Sequence, residues 1–208
     1  GGAAAAWPVV ARGQQGERVR HVVVLLSPGA DYDLESHARV AAFTQALNAL
    51  GWIEGRNLRL VTRVPKPTAA DIRKHVAEVV AAAPDVILTT GSTTVGPFLQ
   101  ANRTIPIVFL SVVDPVGGGF VESLARPGGN ATGFMQFEYG VSGKWLELLK
   151  QIAPATTRAA VMRDASTTSG IGQFAVIQSV ASSVGIDVVP INVRDATELE
   201  RAIGTFAR

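Results

Sequence analysis

Short apolar runs and helix-period patterns alternate along the chain. The run 21–26, HVVVLL, is apolar throughout, which is typical of a central strand covered on both faces. Strands are also predicted over 58–64, 86–88 and 105–110, and helices over 33–51, 72–84 and 95–101, between them. Because a helix joins each strand to the next, the strands are expected to run parallel. We therefore predict an α/β fold with a doubly wound parallel sheet.

The pattern restarts near Phe134, where another strand begins. Helices are predicted over 145–152, 174–184 and 195–206, the last one capped by Asp195 and Glu198, and strands over 159–162 and 186–193. This second α/β unit stops after two strands, so we expect an incomplete second lobe. The expected divisions are an arm at 1–20, a first lobe at 21–136 and a partial second lobe at 137–208, with a hinge in the polar crossing 136–139.

Composition and charge exclude several classes of protein. A hydrophobic content of 47% with 17% charged residues is that of an ordinary globular protein. The net charge of +2 is small and its Lys and Arg residues are scattered, so no nucleic-acid partner is predicted. The absence of cysteine excludes disulfides, thiolate chemistry and a lipid-modified cysteine, and no apolar run approaches the ~20 residues that span a bilayer. A soluble protein is expected.

The first fifteen residues resemble the end of an export signal. An alanine-rich stretch is followed by small residues at Ala11 and Gly13 and then by a polar segment. The alternative is a flexible alanine-rich arm. Because the chain starts without Met and ends within a helical pattern, we expect it to be a fragment.

No group of residues predicts catalysis, a metal or a cofactor. The nearest match to a nucleophile elbow, 140–144, has Lys144 where the second glycine is required. The three histidines lack metal-ligand spacing, and the first strand is not followed by the glycine pattern of a dinucleotide site. We therefore predict a binding protein, not an enzyme, that has no catalytic residue, metal or cofactor.

Small polar side chains follow several of the predicted strands. In parallel sheets the carboxyl ends of the strands meet at one edge, where ligands bind. The candidates there are Ser27, Ser92, Thr93, Thr94, Ser111 and Asp114. Two alternatives stay open at this point: Ser92 or Thr93 simply caps the next helix, and Asp114 starts a turn before Pro115.

One long motif resembles a known family. The segment 111–134, SVVDPVGGGFVESLARPGGNATGF, together with LGWIEGRN at 50–57 and KWLELLKQIAP at 144–154, resembles the periplasmic substrate-binding proteins of ABC transporters in the tryptophan/tyrosine-binding-like group. The resemblance implies a two-lobed type 1 periplasmic-binding-protein fold that closes on an amino acid or similar small polar ligand. It also implies a periplasmic location, a membrane permease as partner and a monomeric protein.

The resemblance extends to individual site residues. It implies that the loops of 92–94 and Asp114 contact the ligand. On the facing lobe Arg163 and Asp164 follow a strand in the corresponding way. Tyr32, Phe137 and Tyr139 are candidates for an apolar wall, although aromatic residues near a hinge are also ordinary. The alternative function is a ligand-sensing domain of a regulatory protein, which would need an output segment.

The export interpretation predicts a processing site. Exported material should begin close to Gln14, because small residues at Ala11 and Gly13 precede the polar segment. Intact-mass measurement of the exported protein tests this, and retention of Trp7 would contradict it.

Overall fold

The computed structural model describes residues 18–27, 34–193 and 196–207. The predicted export remnant, Tyr32 and Asp195 lie outside these residues. In the first half of the chain the elements are β1 (Arg20–Leu25), α1 (Leu34–Ala49), β2 (Leu58–Arg63), α2 (Ala69–Ala81), β3 (Val86–Thr90), α3 (Ser92–Ala101), β4 (Ile107–Val112) and β5 (Ala131–Met135). In the second half they are α4 (Val141–Ile152), β6 (Arg158–Arg163), α5 (Thr168–Ala181), β7 (Asp187–Asn192) and α6 (Ala196–Phe206).

The strands form two sheets, and every pairing in both is parallel. The first sheet has the order β2-β1-β3-β4-β5, and the second pairs β6 with β7. The crossing at 136–140 joins β5 to α4 and so connects the two sheets. The predicted α/β class with parallel sheets is confirmed.

The first sheet is covered by helices on both faces, which explains the uniformly apolar sequence of its strands. On one face Ile87, Ile107 and Phe109 belong to a core cluster with Val79 and Phe98 of α2 and α3. On the other face Val24, Leu26 and Leu88 pack against half-buried side chains of α1. A smaller core in the second unit is built on Leu146 of α4, Ile177 and Ala181 of α5 and Ile186.

Two strands end later than predicted. β3 continues to Thr90 and β4 to Val112, because the ladder between them extends to Thr90 and Leu110 and the Gly91 N–H still donates to the Leu110 carbonyl at 2.9 Å. β4 also begins later. The Asn102 side chain bonds both the N–H and the carbonyl of Ile105, which holds that residue in a turn before the strand.

The apolar residues of α4 that are buried are not the ones that the sequence pattern predicts. Trp145, Leu148 and Ile152 share a face, as predicted, but they are 44%, 54% and 81% exposed. The buried side is defined by Gly143 and Leu146, because α5 packs there: a Cβ on Gly143 would lie 3.5 Å from the side chains of Val176 and Val180.

None of the described helices is long and apolar enough to cross a membrane.

A charge cluster ties β1 to the turn before β3. The Asp85 carboxylate accepts hydrogen bonds from the His21 N–H at 2.9 Å and from the Arg20 guanidinium at 2.8 Å, and Arg18 lies at 3.1 Å. The bond from the His21 N–H, followed by that from Arg20, lowers the pKa of Asp85 below its ordinary value. The side chain is 15% exposed.

This cluster predicts an acid-dependent loss of stability. Asp85→Asn should lower the free energy of unfolding at pH 7 by on the order of 1 kcal/mol. Since the pKa is lower in the folded than in the unfolded chain, the stabilisation is complete above about pH 4 and is lost as the pH falls through the folded-state pKa. Urea titrations of both proteins between pH 7 and pH 3 should show a difference in the free energy of unfolding that shrinks as the pH falls below about 4. A difference that is independent of pH would contradict the assignment.

Candidate functional site

The first sheet brings the strand-end loops together as the sequence predicts, but much of their polarity is used within the loops. The Ser27 hydroxyl donates to the Thr90 carbonyl at 2.6 Å, and the Ser27 N–H donates to the Thr90 hydroxyl at 2.7 Å. These two bonds join the end of β1 to the end of β3. Ser27 thus holds two neighbouring loops at a fixed separation.

The turn from β3 into α3 has a buried side and an open side. Thr94 is fully buried, and its hydroxyl bonds that of Thr89 at 2.7 Å and the Thr90 carbonyl at 2.9 Å. The ligand contact predicted for Thr94 therefore gains no support from its position. Ser92 and Thr93 are half-buried and line a cavity. The N-cap of α3 is Gly91, which has no side chain to cap the helix, so the first N–H groups of α3 have no side-chain cap.

Asp114 is placed by three backbone partners. Its carboxylate accepts from the Gly117 N–H at 2.7 Å through one oxygen and from the Tyr139 N–H at 3.1 Å through the other, and its own N–H donates to the Phe137 carbonyl at 2.9 Å. Its φ of 41° lies in the left-handed region, which Asp tolerates because its short side chain bonds locally. Asp114 therefore ties the loop after β4 to the crossing at 136–140.

In the second unit Arg163 is the last residue of β6, and Asp164 follows it. One Asp164 oxygen accepts from the Ser166 N–H at 2.8 Å and its hydroxyl at 2.6 Å, and the carboxylate is exposed. The Arg163 guanidinium lies 4.3 Å from the centre of the Phe174 ring and donates to Asn192 at 3.1 Å. Arg163 is thus held inside its own unit.

A cavity of about 550 Å³ lies between the two units. One wall is formed by α2, the start of α3 and Phe120, and the other by the turn from β6 into α5. Its lining is mixed: Arg73 and Asp164 carry charge, hydroxyl groups come from both walls, and Phe120 with Pro97 is apolar. Its volume is within the about 300–1,000 Å³ that ligand pockets occupy. We refer to it as the crevice.

The crevice brings together three of the ten predicted site residues, namely Ser92, Thr93 and Asp164. Ser27 and Ser111 line a more apolar cavity of about 630 Å³ beside α1, Asp114 one of about 350 Å³, and Arg163 one of about 230 Å³. Phe137 packs edge-on against Trp145 at 5.7 Å. Ligand contact by these residues, and by Tyr32 outside the described part, stays a prediction.

Several crevice residues were not predicted. Thr167 and Thr168 follow β6 in the way that Ser92 and Thr93 follow β3, so the same reasoning about strand ends could have found them. Arg73, Gln100 and Phe120 carry no such signal, because they lie on helix surfaces and in a loop that only the packing of α2 and α3 brings to the cavity.

Within the described residues no cluster of three or more His, Cys, Asp or Glu could hold a metal ion.

Two parallel α/β units that meet at a polar crevice define a class of protein that binds small solutes between such units. The chain belongs to the family of ABC transporter substrate binding proteins, whose sequence model matches residues 34–208. The resemblance carried by the segment 111–134 is thereby confirmed. The members of this family are substrate-binding proteins.

Individual relatives agree with this family. A tyrosine-binding protein of Clostridioides difficile (strain R20291) is 26% identical over 164 residues, which are 79% of this chain and 47% of that protein. A conserved domain protein from Vibrio cholerae has a TM-score of 0.77 at 25% identity, over 91% of this chain and 62% of its own. An ABC domain from Streptococcus pneumonia in complex with L-Trp has a TM-score of 0.75 at 16% identity, over 90% of this chain and 62% of its own, which shows a shared fold. The chain thus spans about half to two thirds of the length of these relatives.

The geometry of Asp114 predicts a structural role that can be separated from ligand binding. In Asp114→Asn only one side-chain oxygen remains to accept from the Gly117 and Tyr139 N–H groups, and the amide NH₂ faces the N–H group that has lost its acceptor. The free energy of unfolding should therefore fall by about 1–3 kcal/mol. Chemical denaturation measures this. The matched control is Asp187→Asn, at an exposed position at the start of β7. Unchanged stability would contradict the structural role. A loss of ligand affinity in addition to the loss of stability would establish the predicted ligand contact.

Proposed function

We propose that this chain is the solute-binding component of an ABC importer and that it holds an amino acid or a similar small polar molecule in the crevice. The first and second lobes correspond to 21–136 and 137–208, and the crossing at 136–139 is the hinge. The protein works by stoichiometric binding and not by turnover. It acts as a monomer in the periplasm and presents the ligand to a membrane permease.

The composition of the crevice supports a zwitterionic ligand. The Arg73 guanidinium is exposed and has no hydrogen bond or ion pair with any described residue, which leaves it available to a carboxylate. The first N–H groups of α3, next to Ser92 and Thr93, add to the positive potential on that wall. On the facing wall the second oxygen of Asp164 has no partner in the described chain and suits an ammonium group.

The apolar part of the crevice suits the side chain of such a ligand. Phe120 and Pro97 line it, and Phe120 is held by its packing on Gly96 of α3, 3.6 Å from the position of a Cβ there. An aromatic or aliphatic side chain buried against these groups contributes about 25 cal/mol for each Å² of apolar surface removed from water. Two relatives, a tyrosine-binding protein and a structure with L-Trp bound, have ligands of this kind.

One observation carries the proposal: residues at the strand ends of two separate sheets line one cavity. A ligand bound between Ser92 on one wall and Asp164 on the other contacts both units, so it favours the arrangement in which they approach. A pocket within one unit would not have this property.

Binding is tested with L-tyrosine, L-tryptophan and L-leucine. An amino acid that binds at about 100 times its dissociation constant adds about 2.7 kcal/mol and should raise the melting temperature by about 5–10 °C. The N-acetyl derivative of the same amino acid should bind at least about tenfold more weakly, a loss of about 1.4 kcal/mol, because it has no ammonium group. Titration calorimetry gives both affinities. If none of the three amino acids bound, the proposed ligand class would be wrong.

The charge on the second wall is tested by a matched pair of variants. Asp164→Asn keeps the oxygen that accepts from Ser166 but removes the charge, so affinity should fall about tenfold while the melting temperature stays the same. Asp187→Asn removes an equivalent exposed charge outside the crevice and should leave affinity unchanged. If Asp164→Asn bound the amino acid as tightly as Asp187→Asn does, Asp164 would be excluded from the site.

A further inference from the structure

The ring of Tyr139 lies in a slot between the two units. A Cβ added to Gly117, in the loop after β4, would lie 2.8 Å from the ring, and a Cβ added to Gly172, in α5, would overlap three ring atoms. A real Cβ essentially never approaches a carbon so closely. Both walls of the slot therefore have to be glycine while the tyrosine ring fills it.

The backbone of Tyr139 is bonded to the same loop. Its N–H donates to Asp114, whose other carboxylate oxygen accepts from Gly117, so the crossing and the loop form one hydrogen-bonded unit. The loop then continues to Phe120, whose N–H donates to the Pro115 carbonyl at 2.8 Å. Tyr139 is thus connected through the loop to an apolar side chain of the crevice.

The other end of Tyr139 reaches the opposite wall. Its ring packs on Gly172 of α5, and the Thr168 hydroxyl, at the first turn of the same helix, lies near the phenol and also lines the crevice. Tyr139 therefore contacts an element behind each crevice wall. Its backbone and ring contact the loop that leads to Phe120, and its ring also packs on α5, whose first turn lines the other wall.

The phenol oxygen of Tyr139 is buried and has no hydrogen-bond partner among the described residues. The residue as a whole is 9% exposed. Burial raises the pKa of this phenol, the nearby Thr168 hydroxyl lowers this pKa, and the negative charge of Asp114 raises it further. The Thr168 hydroxyl does not meet the geometry of a hydrogen bond to the phenol. A buried hydroxyl left unpaired is destabilising. A small shift of the first turn of α5 relative to the phenol would supply the missing partner, while Gly172 keeps its contact with the ring.

We propose that Tyr139 is a positioning residue of the crevice, which couples the loop that carries Phe120 to the amino end of α5 and whose phenol gains a hydrogen bond from α5 when a ligand draws the two walls together. This inference rests on the proposed function for its ligand-dependent half. The coupling itself exists without ligand, since the slot is already filled.

The coupling is tested in the ligand-free protein by amide hydrogen exchange. Gly172→Ala should expel the ring and raise exchange about tenfold or more in both 114–121 and 168–172, although Ala is the better helix former. The control is Gly204→Ala in α6, where a Cβ meets no atom within 4 Å, and it should change neither segment. Faster exchange in 168–172 alone would overturn the coupling.

The role of the phenol is tested by Tyr139→Phe, which keeps the ring in the slot. Exchange in both segments should match that of the unchanged protein, and the ligand-free melting temperature should be equal or higher, because the variant loses a buried hydroxyl that has no partner among the described residues. Affinity for L-tyrosine or L-tryptophan, measured by calorimetry, should fall about fivefold or more. Equal affinity, or a lower ligand-free melting temperature, would overturn this role. If the unchanged protein bound none of L-tyrosine, L-tryptophan and L-leucine, the proposed ligand class would fail on that result, while the exchange experiment would still decide whether Tyr139 couples the walls.

Discussion

The parallel direction of the strands is the constraint on which the rest of the structure depends. In a parallel sheet each connection must cross back over a face, so every strand is covered and every strand-end loop opens at the same edge. In this chain that edge collects the end of β1 and the loops after β3 and β4, and the second sheet presents the turn after β6 toward them. A crevice lined from two units is a direct result of that geometry.

Loops that meet at such an edge need hydrogen-bond partners of their own. Their backbone groups lie outside the ladders, and a buried group without a partner costs about 1–3 kcal/mol. Ser27, Thr94 and Asp114 are used in this way. Ser27 and Asp114 bond a neighbouring segment of the chain, and Thr94 bonds its own turn, rather than the open cavity. The polar groups that remain available to a ligand, such as Thr93 and one oxygen of Asp164, are those that the loops do not need for themselves, whereas the Ser92 hydroxyl also accepts from the Val113 N–H at 3.3 Å.

The segment between the two sheets has to connect the units and also to find partners for its own backbone groups. The crossing at 136–140 connects two units that face each other across the crevice, and it is held by Asp114 on one side and by the Phe137–Trp145 contact on the other. These contacts are short-range, so they fix the local path of the chain. An arrangement of this kind is compatible with movement of one unit relative to the other.

The elements, their order and the family can be predicted from the amino-acid sequence, because they depend on patterns that are local in the chain. Apolar runs predicted the strands, the helix between successive strands predicted the parallel sheet, and the motif at 111–134 carried the family resemblance. Which polar residues face the crevice depends on tertiary packing. Arg73 and Phe120 reach it through the packing of α2 and α3, and the free or bonded state of Asp114 and Thr94 depends on N–H groups and hydroxyls that other parts of the chain supply. A residue's type and its place after a strand indicate that it can bind a ligand, but they do not show whether the fold has already used its hydrogen bonds.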